Sequence, residues 1–188
     1  MLYMVECRFN DAAREQAWSD WYSGERLGEL LSVPGFNTSQ RFIAVTRPPT
    51  VYLAVHSIDS LRVFDTPEYR AMGGGGFQDY QECIVDWKRQ FFEDIEIAPA
   101  VGIDQCLAVT DSTADHVRES GIDFSWMRPA RRDEEPAQRG IAVLKAADIS
   151  APELHRKFGV DVYRPIMSQR LESVRSGRRI GFNHRKPA

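Results

Sequence analysis

The sequence predicts an α+β fold made of two β-α-β-β-α-β units of the ferredoxin-like type, and three observations predict it. Residues 1–98 read as strand, helix, hairpin, short helix and last strand, in the order of a split βαβ unit. Residues 103–176 read as a shortened copy of that order, with 177–188 left as a basic tail. The chain has 188 residues, of which 43% are hydrophobic and 27% charged, enough for one moderate domain or two small units sharing a core.

The elements follow from local pattern. Alternation in "LYMVECRF" (2–9) gives a first strand. Asp11 offers an N-cap, and Ala17, Trp18, Trp21, Tyr22, Leu27, Leu30 and Leu31 recur at helical spacing until "VPGF" (33–36) stops the helix. "FNTSQRFIAV" (36–45) and "TVYLAVHSI" (50–58) form a hairpin around "TRPPT" (46–50), whose prolines suit a turn and not a strand interior. A short helix is expected at 60–72, a helical or irregular stretch at 77–90, and a strand at "FFEDIEIA" (91–98). In the copy, strands are expected at 104–111, 121–130 and 139–148, a broken helix at 151–166, and a last strand at 168–174. "VYLAVHSID" (51–59) aligns with "GIAVLKAAD" (140–148), and "TPEYRAMGGGGFQDY" (66–80) with "APELHRKFGVDVY" (151–163). Only "STADHVRESG" (112–121) stands where the long first helix was.

Composition removes several function classes. Net charge is −3, so no global basic field recruits nucleic acid. The charged loop 129–139 reads as solvated, and the tail "SGRRIGFNHRKPA" as a frayed terminus or a short basic arm. No apolar run approaches ~18 residues, so no spanning helix and no membrane partner is expected. "MLYMVECRFND" lacks a basic start and a cleavage site, and a cytoplasmic location is expected. Cys7, Cys83 and Cys106 lie far apart with no CxxC, and His56, His116, His155 and His184 have no ligand spacing. No metal and no cofactor is expected; the cysteines read as small core residues ahead of nucleophiles.

"MGGGGF" (72–77) has the glycines of a phosphate cradle but neither its Lys-Ser/Thr nor a preceding strand, and Asp79 and Glu82 would repel phosphate. The run is better explained as the stop of the short helix, with glycine free to take positive φ, and as a hinge able to close over a pocket. Ser-His-Asp order, H-E-x-x-H and the Rossmann fingerprint are lacking.

"WSDWYSGERLGELLSVPGFNTSQRFIA", followed by "YLAVHSIDS…TPEYRAMGGGGF", resembles the dimeric α/β-barrel superfamily and, within it, EthD-like proteins. The resemblance covers residues 1–96, and 104–174 as a weaker second copy. It implies two ferredoxin-like sheets packed face to face as an α/β barrel, with a pocket between sheet and helices. Members include isomerases, cyclases, cofactor-free monooxygenases, dehalogenase-like and haem-handling enzymes, and proteins without known activity. Relatives often carry His after the Glu of the long helix; here that place is Arg26, and a mechanism built on that imidazole is not implied.

On this frame His56, beside Tyr52 and Ala54 on one strand face, is the candidate acid/base or a hydrogen-bonded structural histidine. The Val51-Leu53-Val55 face is expected to meet the helices, which would turn His56 into the barrel interior. Arg26 and Arg41 are candidate anion binders, since guanidinium suits bidentate bonding. Tyr22–Arg26 and Glu25–Glu29 each share a helix face, as a solvated ion-pair surface or as part of a site. Tyr3, Tyr52 and Tyr80 would shape the pocket, with Tyr80 and Trp87 capping the glycine run. The copy keeps Tyr163 and puts Lys145 in the place of His56. The expected function is cofactor-independent proton-transfer chemistry (isomerase, lyase or monooxygenase-like) on an aromatic or lactone-type small molecule. A non-catalytic ligand-binding or stress-type barrel protein is the alternative, and haem binding on His56 a third. An imperfect second copy would leave a sheet edge that favours a homodimer.

Overall fold

The structure, a computed structural model, describes residues 1–45, 49–131, 135–148 and 150–172. Residues 46–48 of the expected turn, 132–134 of the charged loop, 173–174 of the last expected strand and the basic tail lie outside the described residues.

The elements run β1 (Leu2–Phe9), α1 (Glu15–Trp21), a π-helical turn (Tyr22–Arg26), α2 (Leu27–Ser32), β2 (Phe36–Ala44), β3 (Tyr52–Ile58), α3 (Pro67–Ala71) and β4 (Ile84–Phe92). Then come β5 (Gln105–Thr110), α4 (Ala114–Val117), β6 (Ser125–Met127), β7 (Arg139–Lys145), α5 (Ala151–Phe158), β8 (Val160–Pro165) and β9 (Arg170–Leu171). The architecture is mixed α+β around one antiparallel sheet of order β4-β1-β3-β2-β8-β5-β7-β6, with β9 paired to β2.

That sheet curls as a half-barrel, and each face has a separate core. Leu2, Met4, Phe42, Leu53 and Val55 meet Leu107, Val109, Ile141 and Tyr163 on the inner face. The gap between Met4, Phe42, Val55, Leu107 and Ile141 is about 10 Å³, no more than one water, so the interior is packed. On the outer face, Tyr3, Val5, Cys7, Tyr52 and Ala54 carry Trp18, Tyr22, Leu27, Leu30 and Leu31 of the helices. A smaller outer core of Ala108, Val117, Phe124, Ala142 and Val160 serves the second half, where α4 is one short turn. The two ends of the strand order meet: Phe92 bridges Pro129, Glu93 N donates to Arg128 O at 2.9 Å and Ala130 N to Phe91 O at 2.8 Å. At that point the edge expected to recruit a second copy is occupied from within the chain.

Several expected boundaries are corrected. Asp11 caps only a turn, accepting from Ala13 N at 3.0 Å, and the helix starts at Glu15. β4 covers 84–92, not 91–98; Asp86 sits at φ 51 with a register shift opposite Glu6/Arg8, and this bulge breaks the alternation that marks a strand. Of the last strand expected at 168–174, β9 (Arg170–Leu171) is observed, and a longer strand, β8, lies within the expected broken helix at 151–166. Gly159, at φ 63 and donating to His155 O at 2.9 Å, ends α5 in a left-handed cap and releases "VDVYRP" as strand. The three cysteines are free and buried, as expected.

Candidate functional site

The Val51-Leu53-Val55 face turns into the packed interior, and the Tyr52-Ala54-His56 face turns under the helices. The expected orientation of His56 is therefore reversed. The site that sequence-selected residues can form lies between the sheet and the helices of the first half, not inside the barrel.

Register alone assembles its floor. Phe91, Tyr3, His56 and Ser39 are successive partners across β4, β1, β3 and β2, and one step along the strands Arg89, Val5, Ala54 and Arg41 form the next row. Side chains on one pleat row share a face, so two arginines flank the small pair Val5 and Ala54. The helices supply the roof. Tyr22 lies over Arg41 with its ring 4.4 Å from the guanidinium, and Arg26 is 2% exposed, paired to Glu29 at 2.8 Å and donating to Gly74 O. The reading of Tyr22 and Arg26 as a solvated face is overturned. A π-helical turn carries both, a feature that recurs at functional sites because it redirects side chains out of the α-helical row.

His56 is 0% exposed. Its Nδ1 is 2.8 Å from Ser39 Oγ, its ring stacks on Tyr3 at 5.0 Å, and Phe36 meets it edge-on at 5.9 Å. Burial first, then the charges of Arg26 and Arg41, push its pKa down to about 3, so the imidazole is neutral at pH 7. Arg41 is likewise fully buried. It donates to Ser19 O (2.6 Å) and Ser23 Oγ (2.8 Å) and stacks on Trp18, Tyr22 and Tyr52, with no carboxylate partner among the described residues. Burial lowers its pKa to about 10, and it stays a cation. Burial also pushes Tyr22 up to about 12 and raises Tyr3, Tyr52 and Tyr69, so these phenols are neutral donors and not bases.

His56 Nε2, Arg41 Nη2, Tyr69 Oη, Arg89 Nε and Trp18 Nε1 are buried without a hydrogen-bond partner among the described residues. Each such atom carries a desolvation cost of about 1–3 kcal/mol, and native structures keep few of them. Five in one layer mark a place where a ligand would supply hydrogen-bond partners.

The glycine run closes this layer. Gly73 and Gly74 take φ 79 and 68, and Gly74 N donates to Tyr69 O at 3.2 Å, ending α3 as expected. A Cβ on Gly75 would fall 2.8 Å from Tyr69 Oη and 3.9 Å from Tyr3 Oη, so the absence of a side chain is what lets the run lie over both phenols. Gly75→Ala is expected to cost about 1–2 kcal/mol by overpacking. Urea unfolding should recover most of that loss when Tyr69→Phe is added, since the two sites share the contact.

The remaining expectations divide. Tyr52 joins the Arg41 cage and donates to Glu15 at 2.8 Å. Tyr80 lies outside it, packed on Trp21 (5.4 Å) and Phe9 (6.2 Å), and Trp87 is 49% exposed, so neither caps the pocket. Arg89, Tyr69 and Ser39 were not anticipated. Arg89 shares its face with Phe91 once 84–92 is read as strand, and Ser39 is two residues from Arg41 on β2; those were the available signals. A haem on His56, like any ligand reaching Nε2, would require Tyr3 and Phe36 to move aside.

No family model matches the chain, and no curated protein matches it. Among solved structures, a provisionally named monooxygenase from Fusobacterium nucleatum subsp. nucleatum ATCC 25586 is similar with a TM-score of 0.55 at 8% identity, over 89% of this chain and 92% of that one. An anthrone oxidase-like protein is similar with a TM-score of 0.53 at 13% identity, over 92% and 93%. At these identities the likeness is one of fold, and it extends over nearly the whole of both chains. Among the described residues no helix is long and apolar enough to cross a membrane.

Proposed function

We propose that the helix–sheet layer of the first half is a small-molecule site for an anionic or enolisable aromatic or lactone-type ligand, and that the chain is a cofactor-independent enzyme of the monooxygenase-like or isomerase kind. The observation that carries this is the cluster of orphaned buried polar atoms around three arginines, of which only Arg26 has a carboxylate partner among the described residues. Arg41 and Arg89 stabilise an enolate or carboxylate oxygen, the aromatic rings of Tyr3, Tyr22, Phe36 and Phe91 hold the plane of the ligand, and neutral His56 takes the proton. An imidazole of such low basicity gains a proton only when the ligand's negative charge forms beside it and offsets Arg26 and Arg41. The names of the two structural neighbours agree with this chemistry. The matching strand orders β4-β1-β3-β2 and β8-β5-β7-β6 support two ferredoxin-like units, 1–98 and 103–176, as in EthD-like relatives but joined in one chain.

The sealed packing of His56 favours the second reading, a binding protein without turnover. Oxygen uptake and product formation with enolisable phenolic lactones and hydroquinones separate the two. Turnover by wild type that falls at least about 100-fold in His56→Gln supports the enzyme. Binding without turnover leaves the binding protein.

A further inference from the structure

We propose that residues 166–172, which follow the last strand of the second half, form a strap that completes the first-half site, and that Arg170 is its positioning residue. The inference rests on the proposed location of the site between sheet and helices.

β8 pairs with β2 only over Phe42–Ala44 and then leaves the strand. The chain beyond it stays on β2. Ile166 N donates to Arg41 O at 3.0 Å, Gln40 Nε2 to Met167 O at 3.0 Å, Ser39 and Thr38 pair with Arg170 and Leu171, and Glu172 N donates to Asn37 O at 2.7 Å. The stretch so held, Asn37–Arg41, contains Ser39, the partner of His56, and Arg41. From this strap Arg170 reaches over to the π-helical turn and donates through one Nη1 to Ser23 O (3.1 Å) and Gly24 O (2.7 Å). Its Nη2 lies 3.6 Å from where a Gly28 side chain would begin, so glycine leaves its path clear. Arg41 holds the same turn from below through Ser23 and the helix before it through Ser19, and Arg26 ties the turn's end to Gly74.

A π-helical turn is less regular than the α-helix it interrupts, and Gly24 O, which already accepts from Leu27 N, keeps a second lone pair for outside donors. Arg170 supplies one through a charge-assisted bond. Because Tyr22 and Arg26 project from that turn, Arg170 sets their position without touching the ligand. The second half of the chain thereby contributes to the site of the first.

The test is amide hydrogen exchange on the full-length chain, comparing Arg170→Met with Gln169→Ala, which removes a neighbouring strap bond to Ala98 O (3.0 Å) but leaves the turn untouched. Arg170→Met should raise exchange at residues 22–27 by about 10-fold or more, with β1 and β3 amides unchanged, and Gln169→Ala should not. Arg170→Lys, which keeps the charge and stem but not the planar fork, should fall between the two and serves if Arg170→Met folds poorly. Unchanged protection at 22–27 in both Arg170 variants, or an equal rise in Gln169→Ala, overturns the strap. The exchange measurement requires no ligand, so failure to find one counts against the proposed site alone.

Discussion

Lowering the pH from 6.5 to 5 should destabilise the protein by about 2 kcal/mol through His56 alone, at roughly 1.4 kcal/mol per pH unit. The folded-state pKa of about 3 lies below the ordinary value near 6.5, so over that window the unfolded chain binds a proton that the folded one refuses. Stability therefore rises with pH up to about 6.5 and is flat above it as far as His56 is concerned. The dependence weakens again only near pH 3, where the folded imidazole would titrate too. The physical cause is burial, reinforced by Arg26 and Arg41, with no acidic group among the described residues bonded to the ring to offset them. Urea midpoints for wild type and His56→Gln from pH 7 to pH 4.5 check this. The wild-type curve should be steeper by close to one proton, and parallel curves would mean that His56 titrates normally and is not sealed.

Arg41→Met should lower stability by about 1–3 kcal/mol, because Ser19 O and Ser23 Oγ lose their donor, while abolishing ligand binding. Removing one member of a buried ion pair usually costs about 3–5 kcal/mol because a charge is stranded. Among the described residues Arg41 has no carboxylate partner to strand; its acceptors there are the Ser19 carbonyl and two serine hydroxyls. Methionine fills the stem's volume and suits the cage of Trp18, Tyr22 and Tyr52 by sulfur–aromatic contact. A residue kept for folding would behave otherwise, and a loss above about 3 kcal/mol would assign Arg41 a structural role.

Much of the first half was legible. The alternation of β1, β2 and β3, the long helix, the short helix and its glycine stop all lie close to where local pattern puts them. What misled was the assumption that the more apolar face of β3 meets the helices. Both faces are buried here, and the more apolar one, Val51-Leu53-Val55, packs against the second half, while the helix layer carries His56, Arg41 and Ser39. Periodicity reports that two faces differ; it does not say which neighbour each one meets. β4 was obscured by the bulge at Asp86, and with it Arg89. The π-helical turn has no signature in "YSGER", because its cost is met in part by Arg41 and Arg170, which come from two distant places in the chain, beside its own Arg26.

The central claim is that a ligand enters the helix–sheet layer beside Arg41 and His56. The most direct measurement is a thermal-shift titration of wild type, Arg41→Met and His56→Gln at pH 7.5 with aromatic carboxylates, phenolic lactones and quinones. Binding at about 100 times Kd contributes roughly 2.7 kcal/mol, a rise of several degrees for a chain of this size. The expected result is at least one anionic or enolisable aromatic compound that raises the wild-type Tm by that amount and leaves Arg41→Met unmoved. A compound that stabilises all three proteins equally, or no stabilisation of wild type by any of them, would contradict the assignment of the site to this layer.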